Sequence, residues 1–87
     1  MFFYVYILQS IKDGKLYIGC SNDLRRRLKE HNEGLSISTK SRTPFELIYY
    51  EAYRNRKDAE KRERFFKTGW GRGYVKKLLE YEFSAKI

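Results

Sequence analysis

Phe2 to Gln9 is aromatic, β-branched and aliphatic, with no polar residue until Gln9. Such a run favours an extended backbone with both faces buried. It is too short to cross a bilayer, which takes about 20 apolar residues. Asp13-Gly14 follows as a hairpin turn signal, so Lys15 to Cys20 reads as the returning strand. This hairpin sets Tyr4-Val5-Tyr6 beside Tyr17-Ile18-Gly19.

The next segment has helical character. Ser21-Asn22-Asp23 offers N-cap side chains, and Gly34 is a C-terminal stop, which predicts a helix from about Asp23 to Glu33. At about 100° per residue with Leu24 at the origin, Leu28 falls near +40°, His31 near −20° and Arg27 near −60°. The remaining charges of the segment face the opposite way. His31 and Arg27 are therefore the polar residues turned toward the sheet. Leu35 to Thr43 is polar and loop-like, and Pro44 introduces a third strand, Phe45 to Tyr53, whose tyrosines read as strand packing. Arg56 to Lys67 is the second helix, with Ala59, Phe66 and Glu63 on one face and Glu60 farther round. A carboxylate on a packing face must pair or bind a cation. Thr68 to Gly71 should break the helix, with Trp70 plugging the core. A third helix is expected over Arg72 to Tyr81, with Val75, Leu78 and Leu79 as its apolar stripe. The expected fold is α+β: a three-stranded antiparallel sheet flanked by helices, in the order β-β-α-β-α-α.

Eighty-seven residues make one domain, and an aromatic content of 17% supplies enough bulk for its core. Cys20 is the single cysteine and His31 the single histidine. An internal disulfide is excluded, and a closed zinc site nearly so. The N-terminus has neither a basic n-region nor a small-residue cleavage site. The chain reads as soluble and cytoplasmic. Its net charge is +8, and residues 54–77 carry ten Lys/Arg against three acids. A basic half on a small domain points to a polyanion; the alternative is a solvated face that aids solubility.

Taken singly, these residues have ordinary readings. Tyr6 and Tyr17 fit a hairpin, His31 fits a hydrogen-bonded core residue, and Arg27 could bridge to Glu63. Taken together, Tyr4-Val5-Tyr6, Leu16-Tyr17-Ile18-Gly19, Asn22-Asp23-Leu24 with Arg27 and His31, and Ala59 with Glu63 resemble the GIY-YIG nuclease superfamily. The resemblance spans nearly the whole chain and is closest to small stand-alone bacterial members. Two departures stand out: Tyr4 occupies the place of the first glycine, and no asparagine follows Glu63.

The resemblance implies a metal-dependent endonuclease acting on DNA, structure-selective or weakly specific, with a role in repair or recombination. Glu63 would be the protein ligand of Mg²⁺ or Mn²⁺, with water and phosphate completing the shell. Arg27 would grip a phosphate oxygen. Tyr17 would act as general base or water positioner, which requires a nearby cation because a free phenol has a pKa near ~10. His31 would take or relay the proton. Tyr6 would bind the nucleophile or the phosphate, and Gly19 would admit substrate close to the strand. Lys40, Arg42, Arg62, Lys67 and Arg72 are expected to contact nucleic acid, with Trp70 able to stack on a base. A monomer is expected. Two other readings stay open: a nucleic-acid-binding module that keeps the fold without turnover, and a protein-interaction domain built on the aromatic strands.

Overall fold

The computed structural model describes residues 1–85. Its sheet has three antiparallel strands: β1 (Phe3–Ser10), β2 (Leu16–Ser21) and β3 (Phe45–Tyr53), in the order β2-β1-β3. The aromatic N-terminal run is thus the central strand. Val5 and Ile7 point to one face and pack with Ala59, Phe66 and Val75. Tyr6 and Leu8 point to the other face and pack with Phe45, Tyr17, Leu24 and Leu28. Helices cover both faces, so every β1 position from Val5 to Leu8 is buried. This explains the run's lack of alternation. Gly14, at φ +73°, closes the hairpin in a conformation that favours glycine.

Among the described residues there are four α-helices, α1 (Leu24–Asn32), α2 (Arg56–Phe66), α3 (Gly69–Leu78) and α4 (Glu80–Ser84), and a short 3₁₀ turn at Lys40–Arg42. Asp23 caps α1 by accepting from the Arg26 amide, and Asn55 caps α2 by accepting from the Lys57 amide. The order of elements is the expected α+β arrangement, with the last helical segment divided in two.

Three expectations about that last segment are corrected. The Thr68 hydroxyl accepts from the Gly71 amide and caps α3, so the glycines there begin a helix. Gly71 is required for packing, because a Cβ would stand 1.8 Å from the Phe65 carbonyl oxygen. Trp70 does not plug the core: it lies roughly 140° round the helix from buried Val75 and is 87% exposed. Of the expected stripe, Val75 and Leu79 join the core while Leu78 is exposed, because α4 restarts the chain at Glu80 and brings Phe83 in instead. On β3, Tyr49 and Tyr53 pack as expected, but Tyr50 is half exposed and meets Tyr4 edge-on.

Candidate active site

Strand register brings the two tyrosine motifs together. Leu8 pairs with Tyr17 and Tyr6 with Gly19. Cross-strand partners share a face, so Tyr6 and Tyr17 both face α1. That helix contributes His31, completely buried, as the wheel predicts. The His31 ring meets Tyr17 edge-on, with centroids 5.0 Å apart. Its Nε2 lies 3.0 Å from the Tyr6 hydroxyl, and its Nδ1 lies 2.7 Å from Thr39 Oγ1. Both ring nitrogens are therefore engaged by hydroxyls.

Thr39 is fully buried and was not legible as part of this cluster. It sits in the polar connection before β3, where no periodicity marks an inward residue. The one signal was indirect: a buried imidazole needs partners for both nitrogens.

Electrostatics link the group further. Burial pushes the Tyr6 phenol up to about 12, and the neighbouring Tyr17 adds to this. The Arg27 guanidinium opposes the shift by hydrogen bonding and by charge, while the Glu63 carboxylate reinforces it. His31 is held below the usual imidazole value by burial, and the Arg27 charge lowers it further. At neutral pH Tyr6 is thus a phenol and His31 a neutral ring.

Arg27 and Glu63 do not bridge to each other. Arg27 pairs with Glu30 at 3.1 Å, and Glu63 pairs with Lys67 at 2.8 Å. Glu63 approaches from the opposite face of the sheet. It lines a concavity of about 330 Å³ with Cys20, Ser21, Asn22, Arg56 and Glu60. Because β2 is an edge strand, the two faces meet around it, and the Glu63 charge is felt at Tyr6.

A Cβ at Gly19 would lie 2.4 Å from the Tyr6 hydroxyl. The space over the glycine is filled by the phenol, so the lack of a side chain there makes room for Tyr6.

The donor set fits a hard divalent ion. Among the described residues no group of three or more His, Cys, Asp or Glu side chains is placed to hold a metal ion. Glu63 is about a quarter exposed and shares its concavity with Glu60. One or two carboxylates facing water suit Mg²⁺, which keeps most of its waters.

The six residues expected to touch nucleic acid divide sharply. Lys40, Trp70 and Arg72 are exposed, and Lys67 is exposed while paired to Glu63. Arg42 is drawn back onto the protein: it binds Asp13 at 3.2 Å and the Leu16 carbonyl, and lies over the Phe45 ring. Arg62 is committed to the fold. It donates two hydrogen bonds to Glu51, at 2.9 and 3.1 Å, and stacks over Phe66 and Tyr74 at 4.5 and 4.8 Å. Glu51 also accepts from the Tyr49 and Tyr53 hydroxyls. Arg62 thus ties β3, α2 and α3 together, which is a structural task.

Residues 2–75 match the family described as GIY-YIG catalytic domain. The chain is 43% identical over 65 residues to the UPF0213 protein of Clostridium perfringens, covering 74% of this chain and 69% of that protein. It is 42% identical over 67 residues to the UPF0213 protein YazA of Bacillus subtilis, covering 76% and 65% respectively. The solution NMR structure of a UPF0213 protein from Bacillus halodurans is similar at a TM-score of 0.56 and 33% identity, covering 90% of this chain and 85% of that one. No helix among the described residues is long and apolar enough to cross a membrane.

Proposed function

The chain belongs to the GIY-YIG catalytic domain family, and from that premise we propose that it is a divalent-metal-dependent endonuclease that hydrolyses phosphodiester bonds in DNA. The observation that carries this reading is the buried Tyr6–His31–Thr39 hydrogen-bonded chain, which adjoins Tyr17 and Arg27.

Hydrolysis needs a deprotonated water, charge stabilisation on the phosphate and a neutralised leaving oxygen. Neutral His31 carries one ring proton. Placed on Nδ1, that proton is donated to Thr39 Oγ1 and leaves Nε2 free to accept from the Tyr6 hydroxyl. Water positioned by Tyr17 passes its proton to the Tyr6 oxygen as Tyr6 passes its own to His31 Nε2. The imidazolium formed keeps its Nδ1–H on Thr39. The phenol need never exist as a free phenolate, which its raised pKa disfavours. Arg27 binds a non-bridging phosphate oxygen through its planar fork. Glu63, with Glu60 beside it, would hold the divalent ion; when bound, such an ion offsets charge on the phosphate and the leaving oxygen.

Binding would rest on the exposed cations, whose phosphate contacts position a strand without reading its sequence. The enzyme is therefore read as structure-selective or weakly specific, and as a monomer that cuts one strand per visit; a role in repair or recombination rests on the family resemblance alone. The test is a cleavage panel of nicked, branched and single-stranded DNA with Mg²⁺ and with EDTA. Cleavage that EDTA and Glu63→Ala both abolish is expected. Wild type and Glu63→Ala behaving alike would sink the proposal. The missing asparagine after Glu63 favours one second reading, a binding module without turnover. Salt-sensitive DNA binding with no cleavage under any metal would identify it.

A further inference from the structure

A larger concavity lies on the face of the sheet opposite Tyr6, along the free edge of β2. It encloses about 900 Å³, within the range that holds a whole small molecule. Its walls are apolar: Leu16 and Ile18 of β2, Val75 of α3 and Phe83 of α4. Its rim is cationic. Lys15, Lys67, Arg72 and Lys76 line it, against Glu80 as the one acid among the described residues. Arg72 and Lys76 stand one turn apart on α3 and share a face. Of the four cations, Lys67 alone is in an ion pair among the described residues.

This combination selects its ligand. A wholly apolar ligand would leave the cations unused, and a bare phosphate would leave the walls uncovered. A nucleotide out of its base stack offers a flat apolar face and an anionic flank together. We infer that this groove seats an unstacked nucleotide beside the phosphodiester to be cut, an assignment that rests on the nuclease reading above. Two residues join the groove to the candidate site. Lys67 lines it while holding Glu63, and Tyr17 borders it while its ring faces His31.

The test uses a DNA duplex with one unpaired 2-aminopurine, in EDTA so that binding is read without cleavage. Wild type should bind it more tightly than the fully paired duplex, and the emission should rise as the base leaves its neighbours. Arg72→Gln combined with Lys76→Gln changes two exposed side chains, and its fold is checked by circular dichroism. It should reduce the slope of log affinity against log salt by about 1.4, at about 0.7 for each contact to an unpaired strand. Phe83→Ala should keep the slope and lose the emission rise. Glu63→Ala should bind at least as tightly as wild type and fail to cut when Mg²⁺ is added. Wild-type slope and emission in the groove variants, with cleavage still dependent on Glu63, would overturn the groove and leave the nuclease reading standing. Cleavage by Glu63→Ala at the wild-type rate would remove the nuclease reading and the inference with it. A groove that takes an acidic peptide and shows no preference for the unpaired base would also overturn the assignment.

Discussion

The Tyr6 hydroxyl lies 3.0 Å from His31 Nε2, with the His31 ring fully buried and Tyr6 1% exposed. The central strand and the first helix meet at this bond. In the proposed relay His31 accepts the proton that the Tyr6 phenol, with its raised pKa, does not release to water. The far side of the ring is held by Thr39, a residue outside the two tyrosine motifs.

Thr39→Val removes the Nδ1 partner while keeping shape. Cleavage should fall roughly 10–100-fold, as for partners that orient a functional imidazole, with folding retained. Losing the acceptor of the Nδ1–H disfavours imidazolium, so the acidic limb of the pH–rate profile should move to lower pH. Thr39→Ser should restore both. A profile unchanged in Thr39→Val would show that the hydroxyl only fills space.

Stability should fall on the acid side. His31 is lowered by burial and then by Arg27, so its unfolded form binds protons at a higher pH than its folded form. Burial alone would raise Glu51, but hydrogen bonds from Arg62, Tyr49 and Tyr53 outweigh it and hold the carboxyl below its usual range. For both groups the stabilisation is present above the unfolded pKa, about 6.5 for His and 4.3 for Glu. It is lost as pH falls through the lower folded value. Urea melts should weaken first below about pH 6.5, and His31→Gln should remove that first step. Glu51→Gln should flatten the second.

Gly19→Ala places a methyl group against the Tyr6 hydroxyl at 2.4 Å. Tyr6 is 1% exposed and has little room to retreat. A cost of about 1–3 kcal/mol in stability is expected from overpacking. The Tyr6–His31 bond should lengthen, and cleavage should drop more than binding. Equal rates in the variant and wild type would count against Tyr6 in the proton relay.

Arg62→Lys keeps the charge but loses the two-pronged bond to Glu51 and the stacking on Phe66 and Tyr74. Arg62 is only partly buried, so its loss should cost less than a fully buried pair, about 1–3 kcal/mol. Denaturant melts would measure it. DNA affinity of the folded variant should be unchanged, which separates the structural task from the contact expected of Arg62 on charge alone.

Glu63→Gln should abolish metal-stimulated cleavage. Its pair with Lys67 is at the surface, so stability should stay within about 0.5 kcal/mol of wild type. Thermal melts and a cleavage assay on one preparation would check both.

The strands, the first two helices and the face of α1 that carries His31 were legible in the local pattern of residues. These follow from local rules: β1 is apolar because both its faces are covered, Asp13-Gly14 turns the hairpin, and a period of about 3.6 turns Leu24, Leu28 and His31 inward together. The tyrosine motifs were legible as neighbours because hairpin pairing is short-range. The surroundings of Trp70, Gly19, Arg62 and Thr39 were set by packing between distant segments. Trp70 faces water because α3 begins at Gly69, three residues before the expected start at Arg72. Gly19 is occupied by a side chain from the paired strand. Arg62 is taken up by a carboxylate on β3, and Thr39 reaches His31 from a connection without periodicity. Each outcome depends on contacts between segments distant in sequence, where size, charge and hydrogen-bonding capacity are matched only after the elements pack.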